Sequence, residues 1–156
     1  MEEKEKTTRR ARRIVANAPP TGDSPEAAAV RSFIAAIHAQ DLAALSALMT
    51  DDHTFVDSAG TTVSGRDTML ASWPAYFAMF PDYRIRVDEI FHHGESVAIF
   101  GGWSATYAGK VENAVGGPAA WRARVVGDRI QTWQVYADHT KTLAVIERTK
   151  ERKEAP

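Results

Sequence analysis

An α+β domain is what the sequence predicts, and two observations carry the prediction. Apolar residues recur at helical spacing as far as Phe80, and from Tyr83 onward they recur at every second position. The elements so marked run helix, helix, strand, helix and then an antiparallel meander, an order that suits helices segregated from a sheet rather than a parallel doubly wound one. A chain of 156 residues holds enough for one core and not for two. The domain is expected over residues 24–146, between a charged arm (1–23) and a charged tail (147–156).

The arm opens with Glu2, Glu3, Lys4, Glu5 and Lys6, passes through Arg9, Arg10, Arg12 and Arg13, and ends in Ala18-Pro19-Pro20-Thr21-Gly22. It reads as a solvated, disordered stretch with a breaker, although its arginines would also suit an acidic surface. Ser24 then caps a helix with Pro25 at its first position, and Val30, Phe33, Ile34 and Ile37 mark the buried face. Asp41 caps a second helix with Leu42, Leu45, Leu48 and Met49 as its stripe. The connection between the two is short, so they form a hairpin.

Thr54 to Val56 reads as a short strand, and Ser58-Ala59-Gly60 begins a turn-rich link to Gly65. A third helix follows, with Ser64 and Asp67 at capping-box spacing and Met69, Trp73, Tyr76, Phe77 and Phe80 on one face. Pro74 is expected to kink it. Beyond it, Tyr83, Ile85 and Val87 alternate with Arg84, Arg86 and Asp88, and His92-His93-Gly94-Glu95 punctuates a hairpin. Strands are expected at Ser96 to Tyr107, Ala119 to Val126 and Arg129 to Ala137, with Gly127-Asp128 turning between the last two. Gly109 to Pro118 reads as a long loop, either covering a cavity mouth or simply mobile. Thr142 to Ile146 reads as a turn and Glu147 to Pro156 as one fraying helical turn. No internal repeat is present.

The formal charge of −1 and pI near 6.5 leave no global positive field, which argues against a nucleic-acid partner. With no cysteine, the chain has no disulfide framework, thiolate metal site or cysteine nucleophile, as suits a reducing compartment. The charged start and the lack of about 18 uninterrupted apolar residues give a soluble, cytoplasmic reading with no membrane partner.

Several stretches resemble, in order, the landmarks of one superfamily. Asp41-Leu42-Ala43-Ala44-Leu45 through Asp51-Asp52-His53-Thr54-Phe55-Val56-Asp57-Ser58-Ala59-Gly60 is similar to the second helix and first strand of ketosteroid isomerases and SnoaL-like polyketide cyclases. Gly65-Arg66-Asp67, Phe80-Pro81-Asp82-Tyr83 and Arg129-Ile130-Gln131-Thr132-Trp133-Gln134-Val135-Tyr136-Ala137-Asp138 resemble their later landmarks. The resemblance, to the SnoaL-like and nuclear-transport-factor-two-like superfamily, covers about Glu26 to Leu143. It implies a cone: a curved antiparallel or mixed sheet wrapped around three helices, enclosing an apolar pocket for a small molecule, with homodimers pairing through the open sheet face.

The resemblance also implies roles. Asp138 stands where SnoaL-like cyclases keep the acid/base aspartate of a cofactor-independent aldol ring closure, and Asp57 where ketosteroid isomerases keep their proton-shuttling carboxylate. The isomerases' oxyanion donors are missing: Phe33 stands at the tyrosine position and Trp121 at or beside the protonated aspartate. Each aspartate has a second reading, Asp57 as a turn residue bonded to its own backbone and Asp138 as the cap of the following turn.

Alternation places Ile130, Thr132, Gln134, Tyr136 and Asp138 on one face, so Gln134 and Tyr136 would orient a substrate near Asp138 while Trp133 and Val135 face away. His53 shares parity with Phe55 and Asp57, but roughly 13 Å of strand separates it from Asp57. It serves either as a second titrating group or as a surface residue. Phe33, Phe55, Trp73, Phe77, Trp103, Tyr107 and Trp121 supply either the pocket wall or ordinary core. His92 and His93 would point to opposite faces, and no metal site is expected. Arg122 and Arg124 share a face that would hold an anion or remain solvated. Two functions follow as expectations: a cofactor-independent cyclase, isomerase or hydrolase acting on a small apolar carbonyl compound, or a non-catalytic module that binds a hydrophobic ligand or a second copy.

Overall fold

The computed structural model describes residues 24–154. The expected arm (1–23) and the last two residues lie outside the described range. The first helix, α1 (Pro25–Ala39), starts where Ser24 accepts a hydrogen bond from the Ala27 N–H at 3.0 Å. Val30, Phe33, Ile34 and Ile37 form its buried face. Gln40 ends it in the left-handed region, and its side chain donates to the Pro81 carbonyl. Asp41 caps α2 (Leu42–Leu48) by accepting from the Ala44 N–H at 2.9 Å.

Strand β1 (Met49–Val56) begins five residues before the expected Thr54. Met49 is a strand residue, fully buried opposite Ile130, rather than the end of a helical stripe. The link to Gly65 contains a short strand, β2 (Thr62–Ser64), paired antiparallel to β1. Ser64 is therefore a strand residue, and α3 (Arg66–Met79) starts from Gly65 with no side-chain cap, so the expected capping box does not form. An Arg66–Asp51 ion pair at 2.7 Å ties α3 to β1 instead. The helix continues through Pro74.

The meander consists of β3 (Arg84–His93), β4 (Ser96–Thr106), β5 (Ala114–Val126) and β6 (Arg129–Ala137). The six strands form one curved, unclosed sheet in the order β2-β1-β6-β5-β4-β3, parallel only between β1 and β6. Two 3₁₀ turns, Tyr107–Gly109 and Val111–Asn113, are all that remains of the expected ten-residue loop. Gly116, Gly117 and Pro118 lie inside β5, opposite Ser104, Trp103 and Gly102. Glycine and proline in a central strand are rare and read as a loop. Here a Cβ on Gly116 would strike the Trp103 carbonyl oxygen, so the bare backbone permits the close pairing.

Thr142 to Ile146 and the charged stretch after it, read as a turn and one fraying helical turn, belong instead to one continuous helix, α4 (Thr140–Glu154). Thr142 and Val145 anchor it to the sheet, and Arg148 donates to the buried Asn113 side chain at 3.4 Å. The core fills the space between the helices and the concave sheet face, with Trp121, Phe33, Ile37, Leu45, Met49, Ile99 and Ile130 fully buried. No helix among the described residues is long and apolar enough to cross a membrane.

Candidate active site

A cavity of about 480 Å³ opens between α3, the inner ends of β1 and β6, and the start of α4. Its wall is mostly apolar: Ile37, Phe55, Val63, Met69, Trp73, Met79, Ile85, Trp133 and Val135. Asp57 and His139 are the wall's carboxylate and imidazole, and Ser58, Ser72, Tyr76, Tyr83 and Thr142 add hydroxyls. Among the described residues no lysine or arginine lines it. Leu143, 62% exposed, stands at the rim.

Asp57 follows the end of β1, on the same face as Phe55. Its Oδ1 accepts from the Ala59 N–H at 2.9 Å and the Thr61 N–H at 2.8 Å. The turn reading of this residue is met, and the same side chain lies on the cavity wall. The two backbone donors hold the carboxylate in one orientation, while Oδ2 forms no hydrogen bond among the described residues.

Asp138 is elsewhere. Arg124 on β5 faces Thr132 on β6, but its neighbour Val125 faces Ile130, so Gln131 is an extra residue, a β-bulge. The bulge inverts the alternation beyond it. Trp133 is 2% exposed and lines the cavity with Val135, whereas Gln134 and Tyr136 lie on the outer face, Tyr136 51% exposed. The expectation of Gln134, Tyr136 and Asp138 in the pocket is therefore corrected by one residue of register. Asp138 is exposed, and its Oδ1 accepts from the Thr140 N–H at 2.9 Å and Oγ1 at 2.6 Å as α4 begins. Those two bonds hold its carboxyl below the usual range, the opposite of what a general acid near neutrality requires.

His53 is fully buried rather than on the surface, but it does not line the cavity. Its Nδ1 lies 2.7 Å from the Ile130 carbonyl oxygen, so Nδ1 carries the proton and donates, and Nε2 has no partner among the described residues. Burial lowers its pKa, against smaller opposing effects from the Ile130 carbonyl and Asp52. The ring packs beside Phe33, its centroid 6.1 Å away.

Of the aromatic candidates, Phe55 and Trp73 reach the wall. Phe33, Phe77, Trp103, Tyr107 and Trp121 do not; they back it. Phe77 stacks on Trp73 at 5.1 Å, Phe33 meets Trp133 edge-on at 5.1 Å, and Trp103 stacks on His139 at 5.0 Å. Tyr107 packs on Phe80, and Trp121 lies against Trp133. Arg124 is engaged by Glu95 at 2.9 Å, and Arg122 lies opposite Gln134 on the outer face. Among the described residues no three histidine or acidic side chains gather to hold a metal.

Sequence reasoning missed Tyr76, Tyr83 and His139 as site residues. Tyr76 follows Trp73 by one helical turn and Tyr83 leads the β3 alternation, so both were legible as inward-facing but not as polar groups of the site. His139 carries no local signal, because its position depends on where α4 docks. Burial is the chief cause that raises the pKa of both phenols, which keeps them protonated as donors.

A SnoaL-like domain model matches residues 30–137. Among solved structures, a hypothetical protein with a ketosteroid isomerase-like fold from Catenulispora acidiphila, in complex with trimethylamine, is similar at 25% identity and TM-score 0.66, over 74% of this chain and 89% of that one. A putative SnoaL-like polyketide cyclase from Shewanella denitrificans shares 16% identity at TM-score 0.69, over 81% and 99% of the two chains. An epoxide hydrolase of M. tuberculosis shares 16% identity at TM-score 0.68, over 80% and 90%. No curated protein matches the chain in sequence.

Proposed function

The chain belongs to the SnoaL-like family, and from that premise we propose that it binds a small apolar carbonyl compound in the cavity and moves a proton next to the carbonyl, with Asp57 as the base. The supporting observation is the wall itself: an apolar enclosure of about 480 Å³ whose one carboxylate among the described residues is Asp57, held by two backbone N–H groups at Oδ1 and making no hydrogen bond there through Oδ2. Oδ2 takes the proton from the carbon beside the carbonyl and returns it to a neighbouring position or to solvent. His139, stacked on Trp103, is the second group able to relay that proton. Neither step needs a cofactor, and the lack of cysteine accords with a cytoplasmic setting.

The test is solvent deuterium incorporation into 2-tetralone, followed by NMR. Exchange well above the buffer rate is expected, falling to about the buffer rate in Asp57→Asn. Exchange that is equal in both proteins, or absent from both, removes the assignment.

A specific observation favours a second reading, self-association through the outer sheet face. Phe100, Ala120 and Tyr136 lie in register across β4, β5 and β6, with Phe100 47% and Tyr136 51% exposed and Phe91 edge-on to Phe100 at 6.0 Å. An apolar row on an open sheet is suited to a second copy. Sedimentation velocity of the protein and of Phe100→Glu tests it: a dimer that the substitution dissociates is expected, and a wild-type monomer ends the reading.

A further inference from the structure

Hydrogen-bond donors exceed acceptors along one side of the cavity. Trp73, 5% exposed and on the wall, has a buried indole N–H with no acceptor among the described residues. The buried N–H groups of Trp103 and Trp121 are in the same condition. These indoles border two phenols in one belt, with centroids 5.9 Å apart for Trp73 and Tyr76, 5.3 Å for Tyr76 and Tyr83, and 6.2 Å for Tyr83 and Trp103. Burial pushes the Tyr83 phenol up, and the Tyr76 hydroxyl first and the Trp121 N–H second, both directed at the Tyr83 oxygen, counter part of that shift, so the Tyr83 hydroxyl proton is the one left for a ligand. The Trp121 contact falls short of hydrogen-bond geometry. A buried donor left unpaired costs about 1–3 kcal/mol, so the Trp73 N–H beside the cavity favours an acceptor brought within its reach, while the indoles of Trp103 and Trp121 lie behind the wall.

Resting on the cavity reading above, we infer that Tyr83, Tyr76 and Trp73 form a donor site for one uncharged acceptor oxygen on an otherwise apolar ligand. The oxygen is uncharged because, among the described residues, no lysine or arginine lines the cavity to compensate a buried anion. A ketone oxygen only accepts, whereas an alcohol brings a proton that competes with the Tyr76 and Trp121 donors for the Tyr83 oxygen, so a ketone-type oxygen is preferred to an alcohol. The site stands on other residues than the missing isomerase donors, whose places Phe33 and Trp121 occupy.

The experiment compares 9-fluorenone, its parent hydrocarbon fluorene, and 9-fluorenol, three flat molecules of nearly one shape, by equilibrium binding to the full chain. Fluorenone is expected to bind about tenfold more tightly than fluorene. Tyr83→Phe and Tyr76→Phe, which remove only a hydroxyl, should each shrink that ratio while leaving fluorene unchanged. The carbonyl stretch of bound fluorenone should move to lower frequency in the wild type and partly back in Tyr83→Phe, a change that a purely structural role of the tyrosines would not produce. Equal binding of ketone and hydrocarbon, or an unshifted carbonyl stretch, overturns the donor site and leaves the apolar cavity standing. Failure of all three to bind overturns both.

Discussion

Asp57 and Asp138 occupy equivalent places in local terms. Each follows the end of a strand, β1 or β6, and these strands are parallel neighbours. Each carboxylate accepts the N–H two residues further on at 2.9 Å, from Ala59 in one case and Thr140 in the other. One lies on the cavity wall and the other is exposed, and the difference is a single inserted residue, Gln131, in β6. Local hydrogen bonding therefore does not distinguish a site residue from a turn residue, whereas the register of the strand behind it does.

Deleting Gln131 attacks that difference directly and should have the largest effect. Without the bulge, Trp133 and Val135 turn outward and Gln134 turns in, which should cost more than about 4 kcal/mol and abolish cooperative urea unfolding. Retention of a wild-type transition would mean that the bulge does not set the inward face. Next in size is the contrast between the two aspartates. Asp57→Asn should lower ketone proton exchange by about 10²-fold or more, while Asp138→Asn should leave it within about twofold. The reverse order would restore Asp138 to the site.

The histidines sharpen the comparison through pH. His53 and His38 both have pKa values lowered chiefly by burial, and the His38 Nε2 accepts from the Ile85 N–H at 2.9 Å, which requires it to be unprotonated there. A folded pKa below the unfolded value makes this contribution complete above about pH 6.5 and lost as pH falls below it toward the folded values. Thermal melts from pH 8 to pH 5 should therefore show falling stability, with a shallower slope in His53→Gln; an unchanged slope would discount His53. The smallest effect belongs to Asp138→Ala, which should cost about 1 kcal/mol in the denaturant midpoint through loss of its bonds at the start of α4.

Legibility followed the range of the forces involved. Ser24 and Asp41 were readable as caps because a cap joins residues three apart, and both caps are present. The period-two pattern of Arg129 to Ala137 gave the bounds of β6 correctly, yet the inward face was misassigned because a bulge is visible only against the partner strand. Gly116-Gly117-Pro118 looked like a loop because glycine and proline disfavour strands, but pairing with Gly102 to Ser104 outweighs that preference. The charged end of the chain looked like a fraying turn, because the anchoring of α4 by Thr142, Val145 and the Arg148–Asn113 bond has no local signature.

The sequence by itself determined the α+β class, the order of most elements, the caps of the first two helices and the aromatic supply from which the cavity wall is drawn, since these depend on periodicity and on contacts within one or two turns of chain. Tertiary structure alone decided which aspartate meets the cavity, that His139 joins it, and that Tyr76 and Tyr83 stand among unpaired indole N–H groups. These depend on the register between distant strands and the docking of α4, and one residue of slip in a strand moves every following side chain to the opposite face.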